Sequence, residues 1–210
     1  MKPRVFIADD HELFREGIKA LIERKGEYQI VGELKNGIGL VDLLIEKSAD
    51  ILLLDFSMPG KNGLELIPEI KNFIPNIKIL VVTMHPEERF AVRCLKAGAD
   101  GYMTKNSAAK DLIFAISKIL NGRKYISDEL AQKLAVDLGQ SESKPHENLS
   151  DREYQVFVML AQGRSNSEIS EELHLSPSTV NTYRNRIKEK MKLDSIADII
   201  RYALENKLVE

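Results

Sequence analysis

Short apolar runs that each stop on a polar, reactive side chain constrain this chain more than any other feature. Arg4 to Ala8 runs into Asp9-Asp10, and Ile51-Leu52-Leu53-Leu54 stops on Asp55. Lys78-Ile79-Leu80-Val81-Val82 closes on Thr83, and Gly101-Tyr102-Met103-Thr104 is followed by Lys105. A run such as Ile51 to Leu54, apolar without alternation, is a strand covered on both faces, as in a parallel sheet sandwiched by helices. Helical stripes separate the runs: Leu13, Ile18, Leu21 and Ile22; Val41, Leu43, Leu44 and Ile45; Leu64, Leu66, Ile67, Ile70 and Phe73; Phe90, Val92 and Leu95; Leu112, Ile113, Ile116, Ile119 and Leu120. With a further strand near Tyr28 to Leu34, five βα units follow one another. They predict an α/β domain, a doubly wound five-stranded parallel sheet with right-handed crossovers. Ligands bind such sheets beyond the carboxyl ends of the strands. Asp9, Asp10, Asp55, Thr83 and Lys105 are therefore expected along one edge, where gathered carboxylates point to a hard divalent cation and phosphate chemistry.

After Gly122 the pattern changes. Ser127-Asp128-Glu129 reads as a helix start, and Leu130, Leu134 and Leu138 recur at helical spacing, so a short linker helix is expected to end at Gly139. Gln140 to Glu147 is polar, contains Pro145 and reads as a hinge. From Leu149 onward the signals are helical only. Ser150 with Glu153, and Ser165 with Glu168, match the capping box, and Ser176-Pro177 sets an N-cap before a proline at the first helical position. Gly163 and the His174-Leu175 corner separate these segments into a small four-helix bundle. The division expected is residues 1–122, a linker over 123–148, and a helical domain over 149–210.

Composition narrows the function classes. Of 210 residues 43% are hydrophobic, enough for two cores, and 30% are charged. No stretch approaches the roughly 20 apolar residues of a membrane helix, and Asp9-Asp10 comes too early for a secretory signal. The one cysteine, Cys94, reads as a small buried hydrophobe, and a cytoplasmic home is expected. His11, His85, His146 and His174 show no metal-ligand spacing, so no zinc is assigned. A net charge of −2 requires any nucleic-acid surface to be local. Such a surface is offered by the helix expected from Pro177 to about Lys192. With Val180, Ile187 and Met191 inward, the helical period puts Asn181, Thr182, Asn185, Lys188 and Lys192 outward. From Thr179 to Lys192 the chain carries Arg184, Arg186, Lys188, Lys190 and Lys192 against only Glu189. A basic helix of this kind suits the DNA major groove, with Arg and Lys on phosphates and Asn181, Asn185 and Thr182 on base edges.

Asp9-Asp10, Asp55, Thr83 and Lys105, with Met58-Pro59 and Gly63 after the middle aspartate, resemble the receiver domain of bacterial two-component response regulators. The tail, Leu149-Ser150-Asp151-Arg152-Glu153, Gly163-Arg164-Ser165-Asn166-Ser167-Glu168-Ile169 and Leu175-Ser176-Pro177-Ser178-Thr179-Val180, is similar to the LuxR-type helix-turn-helix. The whole chain thus resembles a NarL/FixJ-type response regulator, which is a switch rather than an enzyme. The resemblance implies that Asp10 and Asp55 bind Mg²⁺ directly, that Asp9 acts partly through water, and that the Ser57 carbonyl adds an oxygen. It further implies that a sensor histidine kinase phosphorylates Asp55, that Lys105 and Thr83 receive the phosphoryl group, and that Tyr102 is a switch residue. Ser178, Thr179, Asn181, Thr182, Arg184, Asn185 and Lys188 would meet promoter DNA. The last helix, with Ile196, Ile199, Ile200, Ala203 and Leu204, would fill the core and pair two phosphorylated copies as a homodimer away from any membrane.

The chain departs from the family pattern at Asn181-Thr182-Tyr183 after the Thr-Val pair, at Asn106 where proline often follows the lysine, and at Met84 where a small residue often stands. In the family Ser57 and His85 would flank the path of hydrolytic water. A phosphatase of the haloacid dehalogenase type also joins Mg²⁺, aspartates and a lysine on a parallel sheet, but its Asp-x-Asp motif is missing from Asp9-Asp10. A DNA binder with a vestigial receiver would not need the intact acidic set.

Overall fold

Five parallel strands, β1 (Arg4–Ala8), β2 (Gln29–Leu34), β3 (Ile51–Leu54), β4 (Lys78–Thr83) and β5 (Gly101–Thr104), form one sheet in the order β2-β1-β3-β4-β5. This is a computed structural model describing residues 1–58, 63–85, 87–106, 109–128, 130–132, 144–173 and 175–209. It divides into two compact units, Met1–Ala135 and Val136–Glu210. Every residue of β3 is buried, as its unbroken apolar run requires, whereas the edge strand β2 is only half-buried. Burying a Leu or Ile completely is worth about 1.5–3 kcal/mol over leaving it in water, so the central strands anchor the unit. Strand order reverses between β1 and β3, the point at which an open α/β sheet leaves a crevice beyond its strand ends.

Helices α1 (Glu12–Lys25), α2 (Leu40–Glu46), α3 (Gly63–Phe73), α4 (Glu87–Ala97) and α5 (Ala109–Leu120) connect and follow the strands. On one face Val5, Ile7, Leu53, Leu80 and Val82 pack with Ile18 and Ile22 of α1 and with Leu112, Ile116 and Ile119 of α5. Alternation along the strands sends Phe6, Leu52, Ile79 and Val81 to the opposite face. Cys94 on α4 is buried, as expected of a small hydrophobe. The outer edge of β5 is covered by the chain after α5. Tyr102 N–H donates to the Tyr125 carbonyl at 2.9 Å, and Tyr125 N–H donates to the Asp100 carbonyl at 3.0 Å. Glycine at 101 permits this approach, since a Cβ there would lie 2.9 Å from the Tyr125 carbonyl oxygen. No cis peptide bond occurs among the described residues, the Lys105-Asn106 bond included.

The second unit is all-helical, with α6 (Asp151–Ala161), α7 (Asn166–Glu172), α8 (Pro177–Met191) and α9 (Ile196–Glu205). Both expected capping boxes form, at Ser150/Glu153 and Ser165/Glu168, and Ser176 caps α8 ahead of Pro177. A cap of this kind is worth about 1 kcal/mol. A third box, Ser195/Asp198, starts α9; with Asp rather than Glu or Gln at the third position it falls outside the usual signature. Tyr154, Phe157, Ile169, Val180, Ile187, Met191, Ile199 and Ala203 are buried within the unit. One expectation needs correction. Pro145 to Glu147, read as part of a hinge, lies in a 3-10 helix over Pro145–Asn148, because Pro145 sits where its fixed φ and missing N–H suit a helix start. The start of the expected linker helix is present, with Leu130 buried and its N–H donating to Ser127 Oγ at 3.1 Å, whereas its continuation and the first part of the hinge, including Leu134, Leu138, Gly139 and Gln140, lie outside the described residues, as do Pro59 and His174.

Candidate functional site

The sequence-derived carboxylates do converge. Asp9 and Asp10 follow β1 and Asp55 follows β3, and Asp55 N–H donates to the Ala8 carbonyl at 2.8 Å, which continues the sheet pairing into the site. Asp9, Asp55 and Thr83 are 2%, 3% and 1% exposed, values ordinary for core leucines and costly for carboxylates. Lys105, delivered by β5, answers that cost: its Nζ lies 2.6 Å from Asp55 Oδ2 and 2.9 Å from Asp9 Oδ2. The Phe14 ring lies 4.8 Å below the same ammonium and adds a cation–π contact. Buried Arg15 fixes the β1 end from beneath, donating to the Asp9 carbonyl at 2.9 Å while pairing with Glu33. Burial pushes the Asp55 carboxyl above the usual carboxylate range, and the Lys105 ammonium only partly offsets this.

Oxygen chemistry at this edge suits a hard divalent cation. Asp9, Asp10 and Asp55, joined by His11, present ligand atoms all within 4.8 Å of one another. Asp10 Oδ1 is buried and makes no well-formed hydrogen bond; it lies 2.8 Å from His11 Nδ1. His11 has no metal-ligand spacing to another histidine; its partners here are the carboxylates of Asp9, Asp10 and Asp55.

Thr83 and Tyr102 occupy the neighbouring strands. Thr83 Oγ1 accepts the His85 N–H at 3.3 Å, and Tyr102, buried, donates its hydroxyl to the His85 carbonyl at 3.1 Å. The tyrosine ring lies inside, 1% exposed. Ser57 Oγ and His85 Nε2 share a hydrogen bond at 2.7 Å beside Asp55, and Met84 is 58% exposed. Ser57 N–H donates to Asp55 Oδ1 at 3.3 Å. Gly63 N–H donates to the Phe56 carbonyl, and a Cβ on Gly63 would press to 3.1 Å against Phe56 Cα, so this loop needs glycine for close approach.

In the second unit α7 and α8 form a helix-turn-helix. Val180, Ile187 and Met191 are buried, and Asn181, Thr182, Asn185, Arg186 and Lys192 are exposed, as the helical period requires. Ser178 is exposed, while Thr179, Arg184 and Lys188 are half-buried. The charge balance of α8 differs from the sequence count. Lys190 Nζ lies 2.7 Å from Glu153 Oε2, a buried carboxylate of α6, and is thereby tied to the bundle. Arg184 donates to Asn181 Oδ1, and Thr182 donates to the Ser178 carbonyl at 3.0 Å.

Residues 5–117 match the family of response regulator receiver domains, and residues 147–203 match the luxR family of bacterial regulatory proteins. The chain is 37% identical over 209 residues to the response regulator GacA of Pseudomonas aeruginosa, covering 99% of this chain and 98% of that one. It is 35% identical over 206 residues to the response regulator UvrY of Escherichia coli, covering 97% and 94%. A solved structure of RcsB from Salmonella enterica serovar Typhimurium, bound to promoter rprA in the presence of the phosphomimetic BeF3−, is 27% identical, covers 96% of this chain and 98% of that chain, and superposes with a TM-score of 0.68. A receiver sheet with acidic strand ends, joined to a helix-turn-helix, defines a two-component transcription regulator. The chain belongs to the response regulators, in the NarL/FixJ type with a LuxR-type DNA-binding domain. Among the described residues no helix is long and apolar enough to cross a membrane.

Proposed function

We propose that Asp55 is the phosphoacceptor of this response regulator, with a receiver over 1–122, a linker over 123–148 and a DNA-binding domain over 149–210. The observation that carries the reading is the Lys105 ammonium held 2.6 Å from Asp55 and 2.9 Å from Asp9 at the switch point of the sheet. A carboxylate oxygen of Asp55 attacks the phosphorus of a phosphohistidine on a sensor kinase; the O–P bond forms as the N–P bond breaks, and the departing imidazole takes a proton. Lys105 stabilises the charge on the transferring oxygens, and Thr83 turns its hydroxyl toward the bound phosphoryl group. Asp9, Asp10, Asp55 and the Ser57 carbonyl would hold Mg²⁺, which when bound supplies charge neutralisation at the phosphoryl oxygens. Withdrawal of Thr83 from the His85 N–H loosens the segment that also receives the Tyr102 hydroxyl, so a local charge event reaches α4, β5 and α5.

The output is promoter binding by a homodimer in the cytoplasm. Asn181, Asn185 and Thr182 read base edges, and Ser178, Thr179, Arg184 and Lys188 hold phosphates. Ile196 and Leu204 of α9, 39% and 49% exposed, supply the apolar surface on which two copies pair. Incubation with Mg²⁺ and a small phosphodonor is expected to yield an acid-stable, alkali-labile adduct on Asp55. Undiminished labelling of Asp55→Asn would refute the assignment.

A further inference from the structure

His11 occupies the N-cap of α1, a position that favours Ser, Thr, Asp or Asn, yet its side chain caps nothing. The helix therefore gives no reason for an imidazole here. The ring instead enters the acidic cluster, with Nδ1 lying 2.8 Å from Asp10 Oδ1, 3.4 Å from Asp9 Oδ1 and 3.4 Å from Asp55 Oδ2. Its own amide donates to Asp9 Oδ1 at 2.8 Å, which ties the backbone of His11 to the same carboxylate. Lys105 Nζ approaches Nδ1 at 3.1 Å from the other side.

No single tautomer satisfies this arrangement. A proton on Nδ1 serves Asp10 and faces the ammonium hydrogens of Lys105, while a bare Nδ1 accepts from Lys105 and opposes its lone pair to Asp10 Oδ1. A cation between the groups removes the conflict, because the nitrogen lone pair and the carboxylate oxygens can all point at it. Adjacent donors of an octahedron with bonds of about 2.0–2.2 Å stand roughly 2.8–3.1 Å apart. The nitrogen-to-oxygen separations of 2.8 to 3.4 Å meet or slightly exceed that edge.

We propose that His11 Nδ1 is itself a ligand of the divalent-cation site, so that this receiver has a mixed nitrogen and oxygen donor set and favours Mn²⁺ over Mg²⁺. The chemistry follows from donor type: Mg²⁺ prefers oxygen and gains little from imidazole, whereas Mn²⁺ accepts both and gains a donor stronger than the water it replaces. Half of the ring is open to solvent, its side chain being 57% exposed, so an ion can enter past it and substitution at 11 leaves the core intact.

The inference rests on Asp9, Asp10 and Asp55 holding a cation, and the test separates the two claims. Mn²⁺ is titrated into the full-length protein and followed by electron paramagnetic resonance, with pulsed measurements reading ¹⁴N modulation from a bound imidazole. Wild type is expected to bind Mn²⁺ with imidazole modulation. His11→Gln is expected to lose the modulation and bind Mn²⁺ about tenfold more weakly, with Mg²⁺ affinity changed less than about twofold. Mn²⁺ bound without imidazole modulation, modulation that survives His11→Gln, or equal weakening for both ions would overturn the role of His11 alone. Mn²⁺ binding unchanged in Asp10→Asn would overturn the acidic site beneath it as well.

Discussion

The two units use charge in opposite ways. In the receiver the working groups are buried and locked together: Asp9, Asp55 and Lys105 form one contact cluster at the sheet edge. On α8 the groups proposed to read DNA, Asn181, Thr182 and Asn185, stand in solvent. Buried charges interact through a poor dielectric and are strongly coupled, while exposed ones are screened and close to independent. Substitutions in the receiver should therefore be large and non-additive, and those on α8 modest, additive and salt-dependent.

The largest effect expected is at Lys105. Removing it as Lys105→Met leaves two buried carboxylates facing each other, a loss of about 3 kcal/mol. Urea unfolding of the protein in chelator should show it, with divalent cation restoring more stability to the variant than to wild type. An unchanged midpoint in chelator would mean that the cluster is not electrostatically coupled.

Glu153 comes next, a buried carboxylate paired with the Lys190 ammonium much as Asp55 is with Lys105. Burial works against its ionisation, yet Lys190 and the Ser150 N–H and hydroxyl hold its carboxyl below the usual range. Glu153→Ala loses both cap and ion pair and should cost about 2 kcal/mol, and Glu153→Gln, which keeps the cap, about half of that. Equal losses in the two variants would assign the whole effect to the ion pair.

On the DNA face, Asn181→Ala or Asn185→Ala should lower base discrimination by about 1–3 kcal/mol, most visibly at adenine. Lys188→Ala should weaken all sequences alike and reduce the salt slope by roughly one charge. A degenerate-library binding assay across salt concentrations distinguishes them, and uniform losses in the asparagine variants would contradict base reading.

The smallest effect expected concerns pH and Asp100. Burial raises its pKa, but Lys71 at 2.9 Å, the Ile79 N–H and Lys124 prevail and hold it below the ordinary value. Its contribution is complete above the unfolded carboxylate pKa of about 3.9 and disappears as pH falls through the lower folded value. Acid unfolding monitored by circular dichroism should be shallower in Asp100→Asn. An identical acid limb would remove Asp100 from the linkage.

Local patterns made much of this legible. The unbroken apolar run Ile51 to Leu54 could only be a doubly covered strand, so Asp55 had to lie at its carboxyl end. Ser150 and Glu153 announced a helix start because a capping box is a contact within four residues. What stayed hidden depends on pairing across the fold. Lys190 counted as a free positive charge until α6 brought Glu153 beneath it. His11 stands next to Asp10 in sequence, but its approach to Asp55 and Lys105 depends on β3 and β5 ending beside it, and Asp100 stays hidden because its partners arrive from α3 and the segment after α5.

The central claim is that chemistry at the buried cluster controls recognition by the exposed helix. Fluorescence anisotropy on a promoter fragment selected by the protein, with and without a small phosphodonor and Mg²⁺, tests it in wild type and Asp55→Asn. The account predicts that the donor tightens DNA binding in wild type and leaves Asp55→Asn unchanged. An equal response in both proteins, or none in wild type, would contradict it.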